Sequence, residues 1–197
     1  MGVISIFDTS FVDCKAVTTF DDCIAFYRDI NLLAALTNHH YIVKPSKDKS
    51  YFVDPKQTWS SPKGEKIIIL WNILRTLPNV QWLDSSHDTT SVIMASDMVI
   101  THCMSSPTGE ALGLRKRAFW YESGDKHRGI IYDHIPGLIA HGFRELVHRL
   151  FELEKTTDAE YSKYLSEHIM GHIDPYLDGR AIDRVQNLIG GKHDLPA

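Results

Sequence analysis

Cysteine, positive charge and long apolar runs are all in short supply in this chain, and each shortage removes a class of protein. Three cysteines, Cys14, Cys23 and Cys103, are spread over 197 residues. Their spacing matches neither a disulfide framework nor a zinc knuckle, so they read as reduced thiols in a cytoplasmic setting. Lys and Arg number 21 against 25 Asp and Glu, a formal net charge of −4. That balance leaves no broad cationic footprint for nucleic acid or an anionic membrane. No apolar run reaches the roughly 20 residues that a membrane-spanning helix needs, and no signal-peptide pattern precedes the first apolar segment. Repeats, low-complexity tracts and linkers are missing too. Hydrophobic content of 43% is ordinary for a soluble protein, and residues 1–197 read as a single domain.

What is present is an alternation of short apolar runs with amphipathic stretches. Val3–Phe7, Tyr41–Lys44, Val80–Leu83, Met98–His102, Ala118–Tyr121 and Gly137–Ala140 read as strands. Helices are predicted from Thr19 or Asp21 through Leu36, over Glu65–Leu77, from the Asp84–Asp88 loop through Ser96, and from Ser105 onward. Further helices are predicted over Phe143–Leu153, Glu160–Met170 and Arg180–Ile189, those of about residues 157–190 packing on the domain. Residues 46–62 and 123–134 are polar and read as loops, the second as a mobile one. This order predicts an α/β fold, a Rossmann-like three-layer domain with a parallel sheet covered on both faces. Such sheets bind ligands at the carboxyl ends of their strands. The loops after Phe7, Lys44, Leu83, His102 and Tyr121 would then share one rim.

Ala95–Leu114 carries the most chemistry. An apolar strand breaks at Cys103 into the small-residue turn Ser105-Ser106-Pro107 and opens a helix. Ser105-Ser106 can cap that helix and Pro107 suits its first turn. A strand that ends at a helix N-terminus leaves amides and the positive dipole end pointing outward, which suits phosphate. Glu110 lies about one turn further on, in the order that a nucleotide diphosphate and its ribose would present their groups.

The run ASDMVITHCMSSPTGEALGLRKRAFWY resembles the phosphate- and ribose-binding segment in the C-terminal nucleotide-sugar domain of GT-B glycosyltransferases. Lys44-Pro45-Ser46 and Asp178-Gly179-Arg180-Ala181 flank it in the order found in the surface-polysaccharide and CDP-glycerol glycerophosphotransferase-like branch. The chain departs from that branch at Ser46, where His is common, and at Arg115-Lys116-Arg117, where Gly-Lys-Pro is usual. The resemblance implies one half of a GT-B fold, with the N-terminal acceptor domain expected to be absent. It implies the donor-binding domain of a glycosyltransferase or polyol-phosphate transferase that moves a group from an activated nucleotide to a surface glycan. The implied partners are a nucleotide-sugar or CDP-polyol diphosphate donor and a glycan acceptor reached through the absent domain, with peripheral association at the inner face of the cell membrane. No cofactor and no metal are implied, and the isolated domain is expected to be inactive. Two other readings fit the same cradle: a UDP-sugar 2-epimerase-like isomerase, and a non-catalytic Rossmann-like binding or assembly domain.

Each candidate residue has a plainer alternative. Glu110 would hold the ribose hydroxyls, since a carboxylate offers paired acceptors to a vicinal diol; otherwise it is an acid favoured by the helix dipole. Ser105, Ser106 and Thr108 would bring amides and hydroxyls to the diphosphate, or simply cap the helix. Asp8, Thr9 and Ser10 leave the first strand toward the phosphates or the sugar, or form a turn that satisfies itself. Lys44 would neutralise diphosphate charge, or is simply an exposed lysine that ends a strand. His87, among Asp84, Ser85 and Ser86, sits where related enzymes often read the base, although Asp88 there can serve only as a helix cap. His102 either adjoins the phosphate or is buried against backbone. Arg128, with Asp125 and His127, could clamp the diphosphate on closure. His39-His40 reads as a helix end, where the dipole favours a partly cationic side chain. His168 and His172, four apart, lack the Glu of a zinc-protease motif and any third ligand, so no metal site is expected.

Overall fold

The computed structural model describes residues 2–9, 18–49, 62–124, 126, 128–129, 132–173 and 180–189. Ser10, Cys14, Asp125, His127, most of the polar 46–62 segment and Asp178-Gly179 fall outside them.

Six strands form one parallel sheet: β1 (Val3–Phe7), β2 (His40–Lys44), β3 (Val80–Trp82), β4 (Met98–His102), β5 (Arg117–Glu122) and β6 (Ile139–His141). Their order is β3-β2-β1-β4-β5-β6. All of the pairings are parallel, with Ile4 beside both Tyr41 and Met98 and Phe7 beside both Lys44 and Thr101. The central strands β1 and β4 are mostly apolar because both of their faces are covered, with Ser5, Thr101 and His102 as buried polar members, so neither shows the alternation of a half-exposed strand. Ile4, Ile6, Phe7, Val99 and Ile100 are all buried. β3, at the edge, is only partly covered.

The helices are α1 (Phe20–Leu36), α2 (Pro62–Thr76), α3 (Thr89–Met94), α4 (Ser106–Gly113), α5 (Gly142–Lys155), α6 (Asp158–Tyr164) and α7 (Ala181–Ile189), with a π-helical turn at Leu165–Ile169 after α6. α1 starts at a capping box in which Thr19 accepts from the amide of Asp22 and the Asp22 side chain accepts from that of Thr19. Its inner face sets Phe26, Tyr27, Ile30 and Leu33 against the sheet, and the Asn31 side chain ties it to α2 through the carbonyl of Leu70. Trp71 of α2 meets Tyr27 edge-on at 5.6 Å. Asp88 caps α3 as the sequence suggests, accepting from the amide of Ser91.

Two expectations change at chain turns. His39-His40 does not close α1, which ends at Leu36. His40 begins β2, and His39, 3.0 Å from Glu154, reaches α5 instead. The predicted helix over Glu160–Met170 is two pieces, α6 followed by the π-helical turn. α6 is fastened by Tyr161, whose hydroxyl donates to the carbonyl of Lys116 and accepts from the amide of Ala118. α7 keeps Ile182, Val185, Leu188 and Ile189 exposed.

Candidate functional site

The carboxyl ends of β1, β2 and β4 converge where the chain leaves the sheet in opposite directions from β1 and β4, the place where sheets of this order form a crevice. A cleft of about 340 Å³ lies there, walled by Phe7, Asp8 and Thr9 at the end of β1, Lys44 and Ser46 at β2, Thr89 at the start of α3, and Met104–Pro107 at the turn into α4. Segments far apart in sequence therefore supply one wall each. Of the expected site residues, the sheet brings Asp8, Thr9, Lys44, Ser105 and Ser106 together in this cleft.

Asp8 is fixed from two sides. The hydroxyl of Tyr27 donates to its Oδ2 at 2.6 Å, and the amide of Ser46 donates to its Oδ1. Ser46 Oγ in turn donates to the carbonyl of Thr9 at 2.9 Å, lacing the β1 loop to the β2 loop. Burial pushes the Asp8 carboxyl up to about 6, because desolvation outweighs the two donors and the charge of Lys44. The same burial, with Asp8 nearby, pushes Tyr27 and Cys23 up as well.

Lys44 is 9% exposed. Among the described residues its ammonium group forms no hydrogen bond or ion pair, and its charge reaches Asp8 and Asp88 only through space. A lysine buried to that degree is uncommon without a paired anion.

The β4–α4 turn departs from the expected cap. Ser105 occupies the N-cap position of α4, yet its hydroxyl does not cap the helix. It turns back and donates to the carbonyl of His102 at 2.8 Å. The Ser105 amide points to the same carbonyl, and the Ser105 carbonyl accepts from the indole of Trp120. The turn is set by Met104, a non-glycine residue at φ 64°. The first amides of α4 are thus left without a side-chain cap at the cleft mouth.

Other candidates lie elsewhere. The Thr108 hydroxyl is a correction: it is fully buried, bonded to Thr101 Oγ1 at 2.6 Å and to the carbonyl of Phe119, so only its backbone remains for a ligand. His102 is likewise buried, edge-on to Phe26 at 5.2 Å, and is removed from the ligand-facing set. Glu110 is exposed, one helical turn past Ser106 on the same face of α4, and does not line the cleft itself. His87 is exposed on the β3–α3 loop, both its amide and Nδ1 near the carbonyl of Asp84. Arg128 faces Glu145 of α5 at 3.7 Å rather than the cleft. His168 lies against Tyr164 and His172 edge-on to His134. The departure at Arg115 has a geometric meaning: Arg115 sits at φ 59°, the left-handed conformation that glycine adopts more easily.

A polar cluster on the same rim was not legible beforehand. Glu122 and His141 are paired residues at the ends of β5 and β6. His141 Nδ1 lies 2.9 Å from Glu122 and Nε2 lies 2.7 Å from Asp133, with the ring 4% exposed. Burial alone would lower the imidazole; the two carboxylates overcome it and raise it, while the Gly129 amide and then the imidazole lower Asp133. Among the described residues of the β5–β6 segment, Asp133 is tied down at this cluster. In the same segment Tyr132 stacks on Trp120, and Lys126 lies 2.7 Å from Asp22 on α1. The signal was a single polar residue ending each of two adjacent apolar strands.

The sheet order, the crevice and the strand-to-helix turn define a GT-B-like, Rossmann-type α/β domain. The chain matches the family model for the polysaccharide biosynthesis PFTS motif protein over residues 1–150, and belongs to that family. No curated protein matches it. Among solved structures it is similar to the UDP-GlcNAc 2-epimerase from Neisseria meningitidis bound to UDP-GlcNAc, at 15% identity and a TM-score of 0.54 over 96% of this chain and 45% of that one. It is similar to the wall teichoic acid polymerase TagF at 18% identity and a TM-score of 0.51, covering 96% of this chain and 43% of that one. The α,α-trehalose 6-phosphate synthase from Burkholderia multivorans gives 9% identity and a TM-score of 0.55, with 96% and 42% covered. The chain spans less than half the length of each of these, and the likeness concerns the fold. Among the described residues, no helix is long and apolar enough to cross a membrane.

Proposed function

We propose that the β1/β2/β4 cleft binds the diphosphate of an activated donor, a nucleotide-sugar or CDP-polyol, for transfer to a surface glycan. The observation that carries this reading is Lys44: a residue only 9% exposed, whose ammonium group has no hydrogen-bond or ion-pair partner among the described residues, lines the same cleft as the uncapped start of α4. A buried cation and oriented amides meet the two charges of a diphosphate without reorganisation, and stabilise it as a leaving group when its bond to the transferred moiety breaks. Ser106 stands at the mouth, and Glu110 one turn beyond it would receive the ribose hydroxyls. No metal is needed for this scheme. The general base is assigned to the acceptor-binding half of the full enzyme, which docks peripherally at the inner membrane face.

Thermal shift against UDP, CDP, GDP and CMP tests this directly, because a ligand that binds only the folded state raises its melting temperature. Diphosphates should shift the protein more than CMP. Lys44→Ala should remove the shift, and Glu110→Ala should weaken binding by about 1–3 kcal/mol while leaving the unliganded melting temperature unchanged. An equal shift for Lys44→Ala and wild type would refute the site. Product analysis with UDP-N-acetylglucosamine separates transfer from 2-epimerisation.

A further inference from the structure

Among the described residues, the only ionisable side chains in the cleft wall are Lys44 and Asp8. Their charges cancel, which is an odd lining for a pocket meant for a dianion. A carboxylate held at this spot would repel the ligand that Lys44 attracts. Asp8 is 5% exposed and cannot swing away, because Tyr27 and Ser46 hold both of its oxygens. The remaining way to remove the repulsion is to remove the charge. We propose that Asp8 meets the bound anion as the neutral acid, donating a hydrogen bond to a phosphate oxygen, so that each diphosphate bound takes up one proton from solution. This rests on the diphosphate reading above.

The surroundings of Asp8 support it. From α1, Tyr27 donates to the carboxyl and Cys23 is a buried thiol kept neutral by the same desolvation. From β2, Lys44 supplies the one positive charge. Asp88 at the start of α3 acts on Lys44 rather than on Asp8. The turn into α4 contributes Met104, Ser105, Ser106 and Pro107, none of which ionises. Burial already places the Asp8 titration near 6, and an incoming anion that raises it by about two further pH units or more keeps the carboxyl protonated through neutral pH. The proton comes from buffer, resides on a carboxyl oxygen and returns to buffer when the ligand leaves; no bond to phosphorus forms or breaks.

The test is isothermal titration with inorganic pyrophosphate, for wild type, Asp8→Asn, Lys44→Ala and Tyr27→Phe, at several pH values and in buffers of different ionisation enthalpy. Pyrophosphate's own titration is common to all variants, so the difference between wild type and Asp8→Asn isolates Asp8. Wild type should take up close to one proton more than Asp8→Asn. Its relative affinity should fall toward tenfold per pH unit above about 6, reaching a deficit on the order of 100-fold at pH 8. Tyr27→Phe, which strips the carboxylate of a donor, should move that fall to higher pH and keeps the proposal testable if Asp8→Asn does not fold. Equal proton uptake in wild type and Asp8→Asn, or an unmoved profile in Tyr27→Phe, with binding lost in Lys44→Ala, overturns the proton uptake and leaves the cleft reading intact. Binding that survives in Lys44→Ala, or no binding to wild type, overturns the cleft reading and this proposal with it.

Discussion

Replacing Asp8 by Asn should stabilise the protein at neutral pH, against the usual direction for changing a buried, hydrogen-bonded group. The carboxyl titrates at about 6 in the fold and at 3.8 ordinarily. A folded value raised above the unfolded one means that this group's favourable contribution is complete below pH 3.8 and is lost as pH rises through 6. Above that, ionised Asp8 costs about 3 kcal/mol relative to the neutral acid, at about 1.4 kcal/mol per pH unit of displacement. Asn keeps both contacts: its carbonyl can accept from the Ser46 amide, and its amide group can donate to the Tyr27 hydroxyl, whose proton rotates. Urea denaturation of both proteins at pH 5, 6, 7 and 8 would read the difference. Asp8→Asn should gain on wild type by about 1 kcal/mol between pH 5 and pH 7, and the gap should level off beyond. The reasoning is refuted if the gap is flat across that range, or if it narrows as pH rises.

His141→Ala should cost about 1–3 kcal/mol in chemical denaturation at pH 6, because it takes the imidazole away from the buried Glu122 carboxylate and from Asp133. Since His141 is raised in the fold, its contribution is present below pH 6.5 and lost as pH rises past its folded value, so the penalty should shrink toward pH 8. Thr108→Val should lower stability by about 1–3 kcal/mol through the orphaned Thr101 hydroxyl, yet leave nucleotide thermal shifts unchanged, the converse of Glu110→Ala. Arg115→Gly should raise the melting temperature slightly, by about 0.5–1 kcal/mol of relieved backbone strain, and a lower melting temperature would show that the Arg115 side chain matters more than its φ.

The sheet was legible because its central strands are buried on both faces, so Val3–Phe7 and Met98–His102 stand out as predominantly apolar runs. Thr19 and Asp88 were legible as caps because capping is local, decided within three residues. Ser105 shows the limit of that logic: a competing acceptor, the carbonyl three residues back, takes its hydroxyl, and nothing in the sequence ranks one acceptor above the other. Thr108 was misread for a related reason. Its partners are a strand neighbour, Thr101, and the carbonyl of Phe119, and that pairing exists only after β4 and β5 align. The His141 cluster needs two adjacent strand ends and a loop residue in one place, which register decides and composition does not. Asp8, Lys44 and the Ser105-Ser106 turn could be nominated as rim residues from strand ends alone; that they share one cleft follows from the strand order.

The strand order also has a bearing on synthesis. The cleft's walls come from residues 7–9, 44, 46, 89 and 104–107, so a chain emerging from the ribosome cannot assemble the pocket until residue 107 has been made. Contacts so distant in sequence close late. A nucleotide titrated onto stalled nascent chains of increasing length should therefore be captured abruptly, once β4 has slotted beside β1, which makes ligand capture a reporter of a finished sheet.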